Sequence, residues 1–181
     1  MIITISGYPG AGKTTLGKAL AKKLGYRFLS AGDIRGMMAM EKGMTIDELN
    51  KLGEKEGWTD IEVDRYIEKL GKEKDNLVID SRLAYHFIPH SVKIFLEVDP
   101  WVGAERIFKD KREDESFESV EDAVKRLKER VESDKRRYKK YYNIDFPEKS
   151  KFDLILDTTH MSKEEVLSKV LEFLKKRGLR I

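Results

Sequence analysis

Near its start the chain sets a lysine and two threonines directly behind three glycines. Gly7-Tyr8-Pro9-Gly10-Ala11-Gly12-Lys13-Thr14 fits the pattern G-x-x-x-x-G-K-[ST], and Thr15 follows it. Glycines let main-chain N–H groups converge on phosphate oxygens, and a helix opening behind such a loop adds positive potential. In that arrangement Lys13 reaches the terminal phosphates of a nucleoside triphosphate. Thr14 offers a hydroxyl to Mg²⁺, an ion that takes oxygen ligands and keeps several waters. Thr15 adds a further phosphate contact. The sequence therefore predicts a site for a nucleoside triphosphate with Mg²⁺. The motif alone leaves open whether the triphosphate is hydrolysed, used as a phosphoryl donor or used as a switch.

The elements around the motif must supply a strand before it and a helix after it. Ile2 to Ser6 is a short apolar run, and Lys13 to Leu24 carries Leu16, Ala19, Leu20 and Leu24 at helical spacing before Gly25 stops it. Four more apolar runs read as strands: Tyr26 to Leu29, Leu77 to Asp80, Val92 to Val98 and Phe152 to Asp157. They are rich in Val, Ile, Leu and Phe rather than alternating, as strands covered on both faces are. Helical segments between them make a parallel α/β sheet the expected class. Thr45/Glu48, Thr59/Glu62 and Ser162/Glu165 each have the spacing of a capping box. The last helix should bury Val166, Val170, Leu171 and Leu174.

Two regions exceed a plain alternation. Residues 34–76 hold several short helices where one crossover would do. Residues 109–146 open with the polar run Lys109-Asp-Lys-Arg-Glu-Asp-Glu115 and continue as a long charged helix from about Val120 to Tyr142. Both read as insertions on one core made of 1–33, 77–108 and 147–181, in a chain of one domain's length.

Composition removes other classes. The 181 residues contain no cysteine, which excludes disulfides, thiolate metal sites and cysteine nucleophiles. Lys and Arg number 36 against 33 Asp and Glu, a net charge of +3, too small for a general nucleic-acid field. The basic, aromatic stretch Lys135 to Tyr142 is preceded by acidic residues, so no stable nucleic-acid partner is expected. No run is long and apolar enough for a transmembrane helix, and the N-terminus does not have the form of a secretory signal, so a cytoplasmic protein with no membrane partner is expected. A GTPase switch needs a guanine-reading N-K-x-D. Asn50-Lys-Leu-Gly53 lacks the aspartate and comes too early, and Asp33-Ile-Arg-Gly36 matches D-x-x-G without its partner motif. A phosphoryl transferase instead needs arginines that bring a second anion to the donor, and segments that close out water.

Four stretches together resemble the nucleoside monophosphate kinases, and most closely the archaeal type of cytidylate kinase. They are Gly7 to Thr15, Ser30-Ala-Gly-Asp-Ile-Arg35, Val78-Ile-Asp-Ser-Arg82, and Arg130 to Tyr142 with Asn143-Ile-Asp145. The resemblance spans nearly the whole chain. It implies a three-layer phosphate-loop NTPase fold with a five-stranded parallel sheet, an acceptor-binding insertion after the second strand and a lid after the fourth. It implies ATP-dependent phosphorylation of CMP, and of dCMP, with Mg²⁺; a monomer is expected.

The resemblance also assigns residues. Ser30, Gly32, Asp33 and Arg35 match the turn that holds the monophosphate. Asp80 matches the carboxylate that holds Mg²⁺ through water. Arg82 matches an acceptor-phosphate arginine, with Ser81 where relatives carry glycine. Arg130, Asp134 and Arg137 match R-x-x-x-D-x-x-R, whose arginines contact phosphates while the aspartate helps orient them and the acceptor. They share one helical face, with Arg126, at about 3.6 residues per turn. Each has a plainer alternative in the sequence: a solvated helix residue for Arg35, a helix cap for Asp80, a surface ion pair for Arg82, ordinary i, i+4 pairing on the long helix. Asp157-Thr-Thr159 fits a loop beside the adenine or a simple strand-ending turn. Trp58, Asp60, Asp64 and Arg65 suit base reading, core or surface equally. Adenylate, uridylate and shikimate-type kinases remain the rival enzymes, the last because Asp33 could activate a hydroxyl acceptor.

Overall fold

The computed structural model describes residues 1–45, 48–49, 52, 58–110 and 117–179. Most of the polar run at Lys109 to Glu115, and the positions Asn50, Lys51 and Gly53 considered above, lie outside the described residues. Five strands form one sheet in the order β2-β3-β1-β4-β5, where β1 is Ile2–Gly7, β2 Arg27–Ser30, β3 Leu77–Asp80, β4 Val92–Glu97 and β5 Leu154–Asp157. The pairings β1 with β3, β2 with β3, and β4 with β5 are parallel. The helices are α1 Lys13–Leu24, α2 Ala31–Glu41, α3 Trp58–Glu73, α4 Ala84–Phe87, α5 Pro100–Lys109, α6 Val120–Tyr142 and α7 Lys163–Lys176. The expected α/β class with a five-stranded parallel sheet is the observed one.

The chain divides into two compact units. The first comprises Met1–Ser6 and Gly17–Lys93. Its core packs Ile2, Leu29, Leu77 and Ile79 of the strands against Ile34 of α2 and Ile67 of α3. Every residue of β3 is buried, as in a strand covered on both faces. The register sets Ser30 and Ile5 beside Asp80, so the ends of β2 and β3 lie next to each other. The second unit comprises Gly7–Leu16 and Ile94 onward. Phe95, fully buried, stacks edge-on with Tyr8 (centroids 5.3 Å apart) and lies against Phe146 and Phe152. Ala104 and Ile107 of α5 meet Ala123 and Leu127 of α6.

Local chemistry explains most boundaries. Ser162 and Glu165 form a reciprocal capping box on α7, and Thr45 and Glu48 exchange the same pair of bonds. Asp99 caps α5 by accepting from Trp101 and Val102 N–H, with Pro100 in the first turn. Ser119 caps α6, and Asn143 ends it in the left-handed conformation.

Three expectations are corrected. Thr59 does not cap α3, because the helix already includes Trp58 and the Thr59 hydroxyl faces Arg35. Strand β5 is not covered on both faces; it is an edge strand with alternating exposure, and Ile155 is 38% exposed. Leu171 is only half-buried, since α7 turns Val166, Val170 and Leu174 inward.

These burial differences predict unequal costs for one chemical change. Ile79→Ala should destabilise the fold by about 2–5 kcal/mol, because it leaves a cavity in a fully buried strand. Ile155→Ala on the exposed edge should cost under about 1 kcal/mol. Urea midpoints at unchanged slope would measure both.

Candidate active site

The phosphate-loop motif occupies the turn between β1 and α1, the strand–loop–helix setting that the sequence predicts. Ala11 N–H closes on Tyr8 C=O at 3.2 Å, and Leu16 N–H on Gly12 C=O at 2.9 Å starts the helix. Gly10 and Gly12 hold positive φ, 77° and 93°. At Gly10 the need is also steric, since a Cβ there would collide with the main chain of Gly103 in α5. The approach is close from both sides: a Cβ on Gly103 would lie 2.6 Å from Pro9 O. Lys13 Nζ donates to Tyr8 C=O at 3.0 Å, which carries the ammonium back over the turn. The first turn of α1 contains no acidic residue, so its partial positive charge is not neutralised from within. Thr14 is half-buried and Thr15 exposed.

A layer of bonds lies behind the loop, within the same unit. Arg106 of α5 donates from Nη1 to Gly10 C=O and Thr158 Oγ1, both at 3.2 Å. From Nη2 it donates to the carbonyls of Thr158 (2.7 Å) and Thr159 (3.3 Å). Thr158 is buried and has Ala11 C=O at 2.9 Å and Glu97 C=O at 3.0 Å from its hydroxyl. Thr159 donates through its hydroxyl and N–H to Asp157, whose carboxyl is thereby held below its usual range, and accepts from Asp99 N–H. The stretch 157–159 thus serves as the strand-ending turn. Sequence reasoning missed Arg106, because four acceptors drawn from two loops distant in the chain leave no local pattern.

The long helix α6 spans the residues expected of it. Asp134 is buried and pairs with Arg137, three positions on. A carboxylate out of water beside a half-buried guanidinium fixes the direction of the arginine. Arg130 lies exposed on the same helix. Arg126 is engaged on the surface, with Asp122 at 3.6 Å and its guanidinium 5.0 Å from the Phe117 ring.

The first unit holds the other assigned residues. Ser30 caps α2: its hydroxyl accepts from Asp33 N–H at 3.0 Å, and Asp33 Oδ2 accepts from both the N–H and the hydroxyl of Ser30 at 2.7 Å. The sequence does not announce this cap, since its residues match the monophosphate turn instead. Gly32 is exposed in the first turn of α2. Arg35 is not a free solvated residue. Its Nη2 meets Asp60 at 2.9 Å and its Nη1 lies 3.4 Å from Thr59 Oγ1, which fixes it between α2 and α3. Among the four residues left open in this insertion, Asp60 is this partner, Trp58 lies under the Lys42 ammonium at 5.2 Å, Asp64 is buried and Arg65 exposed.

Asp80 is buried at the end of β3, and the cap position of the following helix α4 belongs to Leu83, so Asp80 is not its cap. Arg82 is half-buried, and its carbonyl accepts from the Ser6 hydroxyl at 2.8 Å. Among the described residues no group of three or more His, Asp or Glu is placed to hold a metal. Taken each within its own unit, the half-buried Thr14 hydroxyl and the buried Asp80 carboxylate are oxygen donors of the kind Mg²⁺ takes. No helix among the described residues is long and apolar enough to cross a membrane.

The profile of the cytidylate kinase-like family matches residues 2–160. The cytidylate kinase of Haloarcula marismortui is 40% identical over 173 residues, covering 94% of this chain and 88% of its own. That of Natronomonas pharaonis is 40% identical over 168 residues, covering 92% and 85%. The shikimate kinase structure from Bacteroides thetaiotaomicron superposes with a TM-score of 0.69 at 20% identity, over 99% of each chain, a likeness of fold. The chain is a nucleotide kinase, and it belongs to the cytidylate kinase-like family.

Proposed function

We propose that this protein transfers the γ-phosphoryl group of ATP to CMP, and to dCMP, by in-line displacement. The observation that carries the reading is the formed phosphate loop, with Lys13 folded over it, in a chain about 40% identical to cytidylate kinases along nearly its whole length. The loop and Lys13 bind the triphosphate. Residues 34–76 bind the acceptor, and residues 109–146 close over the reaction.

The chemistry asks for position and charge rather than a base. A nucleoside monophosphate is already an anion near neutral pH, its second pKa being about 6. Arg35 and Arg82 receive that anion. Arg35 is pre-set by Asp60, which reduces the ordering needed when the phosphate arrives. Arg137, aimed by buried Asp134, and Arg130 balance the charge that spreads over the transferred group. Thr14 and Asp80 are the residues to hold Mg²⁺, which when bound neutralises phosphate charge. Asp33 favours this reading over a hydroxyl acceptor, because one of its oxygens already takes two bonds as the α2 cap.

With ATP and Mg²⁺, a panel of CMP, dCMP, UMP, AMP and shikimate should give the highest kcat/KM on CMP; activity confined to AMP or shikimate would end the proposal. Lys13→Ala should lower kcat/KM at least about 100-fold, as loss of a principal charge-stabilising group does. Arg137→Ala should reduce kcat more than it weakens ATP binding, a split that stopped-flow and calorimetry together would resolve.

A further inference from the structure

We propose that Thr158 and Arg106 are positioning residues that set the direction of the main-chain amides in the phosphate loop. The inference rests on the reading of that loop as the triphosphate site.

The argument begins with the peptide unit. In a planar trans peptide the C=O and N–H point in opposite directions, so holding one aims the other. The carbonyl of Ala11 shares its peptide with the N–H of Gly12. Thr158 Oγ1 lies 2.9 Å from that carbonyl and fixes Gly12 N–H the opposite way, away from β5. The carbonyl of Gly10 shares its peptide with the N–H of Ala11. Arg106 Nη1 holds it at 3.2 Å, and Ala11 N–H correspondingly closes the turn onto Tyr8.

The polarity of this layer is determined. Arg106 Nη1 donates into Thr158 Oγ1, so the hydroxyl hydrogen must go elsewhere. Two acceptors are in reach, Ala11 C=O and Glu97 C=O. Glu97 C=O already receives Thr158 N–H at 2.9 Å, which leaves Ala11 as the carbonyl in need. The four hydrogens on the two terminal nitrogens of Arg106 each have an acceptor, and three of those acceptors are main-chain carbonyls. Gly103, one turn before Arg106, brings α5 against Pro9 and Gly10 closely enough for these bonds to form. Deleting the Thr158 hydroxyl removes no charge and, on this assignment, no group that touches substrate. It leaves the Ala11 peptide free to tilt.

The test compares Thr158→Val, Thr158→Ser and Arg106→Lys with the parent chain. Affinities for ATP, for tripolyphosphate and for CMP, each with Mg²⁺, are measured by calorimetry. Thr158→Val should weaken ATP and tripolyphosphate by the same factor, about tenfold, because the Gly12 amide is no longer held in place before the anion arrives and binding must order it. CMP affinity should stay within about twofold of the parent, and Thr158→Ser should restore both anions to within about twofold, because it keeps the hydrogen bond. Arg106→Lys keeps the charge but loses the fork, and should weaken both phosphate ligands while sparing CMP; it carries the test alone if Thr158→Val does not fold.

Parent-like ATP affinity in Thr158→Val would overturn the proposal. So would a loss of ATP with tripolyphosphate unaffected, which would place the effect at the nucleoside, or an equal loss of CMP, which would indicate general damage. A parent chain that binds ATP and tripolyphosphate but does not phosphorylate CMP would refute the proposed acceptor and leave the positioning role standing. A parent that binds neither phosphate ligand would sink both.

Discussion

A main-chain cradle for an anion can exist only if the carbonyls of the same peptides are satisfied behind it. Amides that converge on a phosphate turn their carbonyls the other way, into protein, where an unpaired acceptor is costly. Here Thr158, at the end of β5, meets that demand at Ala11 C=O, while Arg106 of α5 holds Gly10 C=O and with it the turn that Ala11 N–H closes onto Tyr8. The close approach of Gly103 to Pro9 and Gly10, the buried position of Thr158 and the capping of α5 by Asp99 all serve the same geometry. The loop is thus shaped as much by the elements beneath it as by its own glycines.

The same economy would govern the charged groups proposed for substrate. A long cationic side chain loses rotamer freedom whenever it is used, and prior pairing reduces that loss at binding. Arg35 leans on Asp60, and Arg137 on buried Asp134. Both carboxylates lie on helices, where backbone geometry rather than loop conformation fixes their position. In α2 the pair Ser30 and Asp33 secures the start of the helix that carries Arg35, so a stretch read for ligand contacts is also what holds the arginine's helix in place.

The legible parts share a physical reason. Strand β1, helix α1 and the extent of α6 could be read because their signals are local, among them glycine spacing and apolar periodicity. The box at Ser162 and Glu165 is equally local. Where the reading erred, a non-local effect decided. Thr59 resembled a cap until Trp58 joined the helix and Arg35 took its hydroxyl. Strand β5 resembled a buried strand because composition does not reveal which face of a strand is left open, and its alternating exposure reports one face more open than the other.

By itself the sequence determined that a loop with phosphate-loop spacing follows the first strand and that cysteine chemistry is absent, and it marked the arginines proposed for a second anion. Those facts follow from residue type and spacing within a few turns of chain. Only the tertiary structure decided that Arg106 and Thr158 stand behind the loop, that Asp60 is the partner of Arg35, and that Asp134 is buried. Each of these depends on residues far apart in sequence that become neighbours when the core closes, and no local propensity encodes such a meeting.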